Sequence, residues 1–154
     1  MPDQSSARSM YPAVNFHFDV KFNGGGIMAE GGFQQVSGLK AKLGSQKVKS
    51  GGGANPYFKL PTPSTFDNIK LSRGVMVGSS LRHWVTQAIY NFEFTPITVT
   101  IILLDENQNP VITWTAYNVW PVSWSVDDLN SENGKVAIET FELAFDRITT
   151  KFKT

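Results

Sequence analysis

Residues 97–120 constrain the fold more than any other stretch. Ile97-Thr-Val-Thr-Ile-Ile-Leu-Leu104 is an apolar and threonine run of strand length, Asp105-Glu-Asn-Gln-Asn-Pro110 is a polar turn cluster, and Val111-Ile-Thr-Trp-Thr-Ala-Tyr-Asn-Val-Trp120 is a second β-rich run. β-Branched and aromatic side chains suit a pleated surface, while Asn and Pro interrupt it. The stretch therefore predicts a β-hairpin with a longer loop. A third run, Val136 to Phe145, follows the polar segment Asp127-Asp-Leu-Asn-Ser-Glu-Asn-Gly134. Three runs joined by short turns form an antiparallel meander, and the remaining elements pack on it or beside it.

Upstream, Asn15 to Asn23 has the cleanest two-residue period. Phe16, Phe18, Val20 and Phe22 point one way, and Asn15, His17, Asp19, Lys21 and Asn23 the other. That is a strand with one buried and one wet face. Gly24-Gly25-Gly26 supplies turn chemistry, and Ile27 to Leu39 reads as a returning strand interrupted by Gly31-Gly32, a bulge or a close backbone approach. Residues 1–10 are small and polar and read as a flexible arm, leaving 11–154 as one domain. Within it, 41–59 reads as an extended loop with few core residues, and such loops are either functional or disordered. Phe66 to Gly74 reads as a short strand.

One helix is expected. Ser79 or Ser80 caps it, Leu81, Trp84, Val85, Ala88 and Ile89 form one apolar stripe, and Asn91 stops it. With about six or seven strands, the fold class is mainly β: an antiparallel β-sandwich or open barrel with one flanking α-helix.

At 154 residues one domain is the default, long enough to bury a core without staples. The absence of cysteine excludes a disulfide framework, a thiolate metal site and a cysteine nucleophile. A net charge of +1 gives no global pull toward nucleic acid or membrane. No apolar run approaches the ~20 residues of a spanning helix, so no stable membrane insertion is expected. The N-terminal residues lack a hydrophobic signal core, so Sec export is not expected either. The charge is unevenly placed. Gly31 to Phe66 carries Lys40, Lys42, Lys47, Lys49 and Lys59 and no acid, whereas Glu93 to Asp146 carries nine acids and only Lys135 as a base. Either these are solvated loops, or they are complementary patches that meet between neighbouring copies.

A search for reactive groups yields little. His17 lies on a polar strand face and His83 on the polar helix face, and no short-range set supplies three or four metal ligands. Asp127, Asp128 and Glu132 form one tight carboxylate group, without the ordered ligand pattern of a calcium loop; a solvated turn fits them better, and Asp105-Glu106 as well. Ser50-Gly-Gly-Gly-Ala-Asn55 beside Lys47 and Lys49 lacks the flanking strand and helix of a phosphate cradle and reads as a flexible or interface loop. Trp84 and Trp114 sit at core positions. Trp120 and Trp124 flank Pro121, where a bend can open a ring to a partner. No nucleophile, base and orienter set is present, so no enzyme activity and no cofactor are expected.

Several stretches carry a resemblance to a known family. They are Phe16–Val20, Gly32–Leu39, Leu60-Pro61, Asn68–Gly74, Leu81–Trp84, Leu103–Glu106 with Pro110-Val111 and Trp114, Asn118–Pro121, and Val136–Glu139 before Phe141–Leu143. In this order and spacing, over residues 12–148, the chain resembles the phage tail tube proteins. These are the inner-tube subunits of contractile phage tails and extracellular contractile injection systems, and they share a fold with the haemolysin-coregulated protein of type VI secretion. Gln35 stands where the family often has glutamate.

The resemblance implies hexameric rings with a continuous inner β-barrel, stacked head to tail into a hollow tube. It implies a contractile sheath, baseplate or spike and tube-terminating proteins as partners, protein cargo or DNA in the lumen, and a mature location in a tail or injection particle. On this reading the loop after the second strand stacks the rings: Lys42, Gly44, Ser45, Gln46, Lys47, Val48, Lys49, Ser50, Gly51, Gly52, Gly53, Ala54 and Asn55. Its acidic counter-surface is Asp105, Glu106, Asp127, Asp128 and Glu132. Edge strands within 12–39 and 97–145 close the ring, and the Asn15, His17, Asp19 and Lys21 face is a candidate channel lining. The alternative is a monomeric β-sandwich binding module, for example for glycans, using Trp120 and Trp124.

Overall fold

A computed structural model of the chain describes residues 16–28, 30–53, 56–132, 134 and 136–153. The flexible arm expected at 1–10, Asn15 of the wet strand face, and Ala54 and Asn55 of the expected loop lie outside these residues. In chain order the elements are β1 (His17–Asn23), β2 (Phe33–Ser37), β3 (Ala41–Lys49), β4 (Tyr57–Phe66), β5 (Ile69–Gly74), α1 (Ser80–Asn91), β6 (Ile97–Leu104), β7 (Pro110–Val126), β8 (Ile138–Ala144) and β9 (Arg147–Phe152).

β7 organises the body. Its first half, Ile112 to Tyr117, lies between β6 and β9; its second half, Trp120 to Val126, pairs with β8. Two irregularities separate the halves, one opposite Ile97 and Val99 and one between Pro121 and Ser123. Extra residues in one strand bend it and increase its twist. Within the first irregularity, Asn118 takes a left-handed φ of 53°, and its amide donates to Asp146 Oδ2 at 3.2 Å. Asparagine tolerates this region better than most residues.

The bent strand thus joins two antiparallel layers. The first runs β1-β6-β7-β9, and the second runs β7-β8-β5-β2. Their inner faces share one core: Val20, Val99, Ile101 and Ala116 from the first, and Ile69, Leu71, Phe141 and Leu143 from the second. Fully burying each large aliphatic or aromatic side chain is worth roughly 1.5–3 kcal/mol. The helix closes one side with Leu81, Trp84, Val85 and Ala88, while Ile89, expected on the same stripe, remains exposed.

Three expectations are corrected. β1 and β2 do not form a hairpin: β1 pairs with β6 and β2 with β5, so they belong to different layers. Residues 41–59 are not a structureless loop, because β3 and β4 form a long antiparallel hairpin. And β9 adds a strand beyond Phe145, where the third run was expected to end. The bulge expected from Gly31-Gly32 falls just after them, between Phe33 and Gln35.

Candidate assembly surfaces

The β3–β4 hairpin is an arm without a body of its own. It hydrogen-bonds as a separate two-stranded sheet, and nearly all its residues are exposed. Nine paired residues on β3 span roughly 30 Å at about 3.3 Å per residue. At the root, Phe66 packs against Phe145, with ring centroids 6.2 Å apart. Gly38 sets the exit: it has a φ of 90°, and a Cβ there would run into the Asn68 carbonyl. The tip closes with Ser50 N–H donating to Pro56 O at 2.7 Å.

The register sorts the arm into two faces. Gln46 is opposite Leu60 and Val48 opposite Phe58, so Val48, Phe58 and Leu60 share one side. Lys47 is opposite Lys59 and Lys49 opposite Tyr57, so the three lysines share the other. Phe58 is 59% exposed and Leu60 50%. A two-stranded hairpin is at best marginally stable in water. This one leaves both its apolar and its basic face uncovered.

The acidic residues expected to meet it do not form one surface. Asp105 and Glu106 lie in the β6–β7 turn, and Asp127 and Asp128 follow the far end of the 17-residue β7. Asp105 is occupied: its Oδ1 accepts from the Asn107 and Asn109 N–H groups at 2.8 and 2.9 Å. Those bonds, Asn109 foremost, hold its carboxyl below the usual aspartate range.

Asp127, Asp128 and Glu132 have different company. Asp127 N–H donates to Ile138 O and Val75 N–H to Ala137 O, which gathers these loops at one end of the second layer. Val75, Met76, Val77, Leu129 and Val136 are exposed there, Val77 completely. The arm leaves from the opposite end, where β5 begins. The molecule therefore has a basic and apolar projection at one end of this layer and an acidic and apolar surface at the other.

The sheet edges are a second kind of uncovered surface. Among the described residues β1 pairs only with β6 and β9 only with β7, so both edges of the first layer are free. Of the strands within the ranges expected to close a ring, β1, β2 and the second half of β7 are edges, while β6 and β8 are interior. The outward face of this layer is polar. Lys21, Thr100, Thr115 and Thr149 form one cross-strand row, and Asp19, Ile102, Thr113 and Lys151 the next.

A buried ion network holds the second layer, the helix and the segment before β2 together. Arg73 and Glu139 are both 0% exposed. Arg73 Nε donates to Glu139 Oε1 at 3.0 Å, and its Nη1 to Glu30 Oε2 at 2.7 Å. Arg82 Nε and Trp124 Nε1 both donate to Glu139 Oε2 at 3.1 Å. At the helix start, the cap Ser79 accepts from Arg82 N–H, while Glu30 Oε1 accepts from Leu81 N–H at 2.8 Å and from Ser80 Oγ at 2.9 Å. Burial alone pushes both carboxyls up. The Leu81, Arg73 and Ser80 bonds outweigh it at Glu30, and the Arg82, Trp124 and Arg73 bonds at Glu139, so both sit below the ordinary glutamate range.

Sequence reasoning missed this network, although a signal existed. Arg73 shares strand parity with Ile69 and Leu71, and Glu139 with Phe141 and Leu143. The network also uses Trp124, whose N–H points inward rather than to a ligand. Trp120 is half exposed and joins Phe92 and Phe94 in an edge-to-face aromatic cluster. His17 and His83 are exposed, and among the described residues no three His, Cys, Asp or Glu side chains converge to hold a metal.

A two-layer β body with free edges, oppositely charged ends and a bare arm defines an assembly subunit. Comparison with known proteins specifies which kind. The T4-like virus tail tube protein gp19 family matches residues 14–149, and the chain belongs to that family. A chain in the anti-feeding prophage (AFP) baseplate is 30% identical, with a TM-score of 0.83, over 92% of this chain and 97% of that one. A chain of the PVC sheath–tube complex, from an extracellular contractile injection system in its extended state, is 22% identical, with a TM-score of 0.78, over 99% and 100%. Hcp1 from Flavobacterium johnsoniae shares the fold at 10% identity and a TM-score of 0.50, over 88% and 95%. No curated protein matches the chain in sequence.

Proposed function

We propose that this tail tube protein builds the inner tube of a contractile tail-like particle as six-membered rings stacked head to tail, without catalysis. The observation that carries this reading is the two-faced arm opposite an acidic, apolar end. A contact between unlike surfaces propagates from copy to copy instead of closing on a pair. Val48, Phe58 and Leu60 cover Val75, Val77, Leu129 and Val136 of a neighbouring ring, and Lys47, Lys49 and Lys59 approach its Asp127, Asp128 and Glu132. The free edges of β1 and β9 join between copies within a ring, which removes the exposed strand edges. Six is the number taken because the similar AFP baseplate structure is six-fold symmetrised. The channel lies against the polar face of the first layer and conducts protein or DNA. The chain is made in the cytoplasm and ends in the particle. Its partners, by analogy with the neighbouring structures, are a sheath, a baseplate with its spike and a terminating cap.

Electron microscopy of the purified chain, with its mass in solution, tests this. Rings with a central hole, or tubes, are expected. A chain that stays monomeric even when baseplate is added refutes the assembly. Deleting 44–55 should leave a folded subunit that forms no long tubes. If long tubes persist, the arm is not the stacking element.

A further inference from the structure

We infer that the outward face of the first layer is a hydroxyl-lined, cationic wall suited to an acidic polypeptide. The inference rests on the tube reading for its location and on the strand register for its chemistry. The register places Lys21 on β1 and Arg147 and Lys151 on β9, all on the outward side and all exposed, against one carboxylate, Asp19. None of the three makes a salt bridge among the described residues. Between the two edges the surface is mostly threonine, with Thr98 and Thr100 on β6, Thr113 and Thr115 on β7 and Thr149 on β9, interrupted by Ile102 and Tyr117.

The other side of this layer is filled by the core and the second layer. When the β1 and β9 edges of neighbouring copies join, the bulkier second layer and helix take the longer outer circumference, and the threonine face lines the inside. Lys21 of one copy and Lys151 of the next then flank the same seam. Repeated around a ring, these charges face one another across a confined space, which concentrates a positive potential. Hydroxyls both donate and accept, so they can exchange peptide and carboxylate partners without a fixed geometry. A conduit needs this combination: attraction sufficient for entry, spread over many weak contacts that permit release.

The surface does not favour nucleic acid. Proteins that hold single strands add aromatic platforms to a basic groove. Among the described residues the rings on this face are His17, exposed at one end of β1, and Tyr117, whose ring the Arg147 guanidinium covers at 4.3 Å, so no row of aromatic platforms is present.

The test has two arms. In the first, the soluble full chain is titrated by NMR with a hexaglutamate peptide, a hexalysine peptide and a short oligothymidylate. Hexaglutamate should shift Lys21, Thr100, Thr115, Thr149 and Lys151, an effect that fades between about 0.05 and about 0.5 M salt as screening shortens the reach of charge. It should disappear in the exposed-site variant K21E/K151E and weaken in K21Q/K151Q. In the second, assembled rings or tubes should retain a small protein with a glutamate tag about ten-fold better than the same protein with a lysine tag. Shifts elsewhere on the chain, an equal response to hexalysine, a stronger response to the oligonucleotide or equal retention of both tags overturns the inference. Hexaglutamate binding to this face in a chain that never assembles refutes the tube reading instead.

Discussion

The second layer and the arm are made of the same material and end in opposite states. β5 and β8 alternate regularly between buried and outward residues, whereas β3 and β4 are exposed on both faces. The difference is not apolar content, since the arm carries Leu43, Val48, Tyr57, Phe58, Leu60 and Phe66. It is cover. β5 has a neighbour on each edge and a core beneath it, and the arm has only its own two strands. A side chain stabilises a fold by leaving water, so the apolar face of the arm contributes little until another surface closes over it.

The body should therefore be sensitive to internal changes that leave the arm unaffected. Glu139→Ala leaves Arg82 without its carboxylate and Arg73 with Glu30 alone, beside an empty site. Removing one partner of a buried pair destabilises by about 3–5 kcal/mol, to be read by urea denaturation. A loss near zero would mean that water or another acid replaces Glu139.

Acid should reach the same network without mutation. Glu30 and Glu139 are held below the ordinary value of 4.5, so the unfolded chain binds more protons in that region. Their contribution is complete above the ordinary value and is lost as pH falls through the lower folded values. Stability measured from pH 6 to pH 2 should drop, with a shallower slope in Glu30→Gln. An identical slope would exclude Glu30 as a contributor.

A smaller effect is expected at Ser79, which caps α1 and also contacts Arg73 and Glu30. Ser79→Ala should lower stability by about 1 kcal/mol, visible as a shifted denaturation midpoint. The smallest effect belongs to the arm. Phe58→Ser with Leu60→Ser should change subunit stability by no more than about 0.5 kcal/mol, yet stop tube growth under the electron microscope. A large loss of subunit stability would show that the arm folds back onto the body and would remove the contrast.

Much of the body was legible from the chain. The period of two in Phe18, Val20 and Phe22, the β-rich runs around the 105–110 turn, and the helical spacing of Leu81, Trp84, Val85 and Ala88 each identify a local element. The ordered family stretches indicated the mainly β fold and the tube role. Pairing was less visible. Nothing in β1 or β2 states that they part into different layers, because each has ordinary strand chemistry and the choice of neighbour depends on distant β6 and β5. Alternation over Ala41–Lys49 is weak, with Gly44 and lysines where a buried strand would carry apolar residues, so the chain alone does not announce the arm's strands. Nor does the order of acids along the chain separate Asp105 from Asp127 or mark Glu139 as a core residue; folding does both.

By itself, the sequence determined the local elements, the absence of thiol chemistry, and the segregation of lysine and acid along the chain. These follow from side-chain period, residue type and order, which act over a few residues. Only the tertiary structure decided which strands meet, that β7 bends to serve both layers, that Arg73 and Glu139 neutralise each other in the core, and that the arm stands bare. Those outcomes depend on contacts between residues far apart in the chain, where burial and pairing reward arrangements that no short window contains.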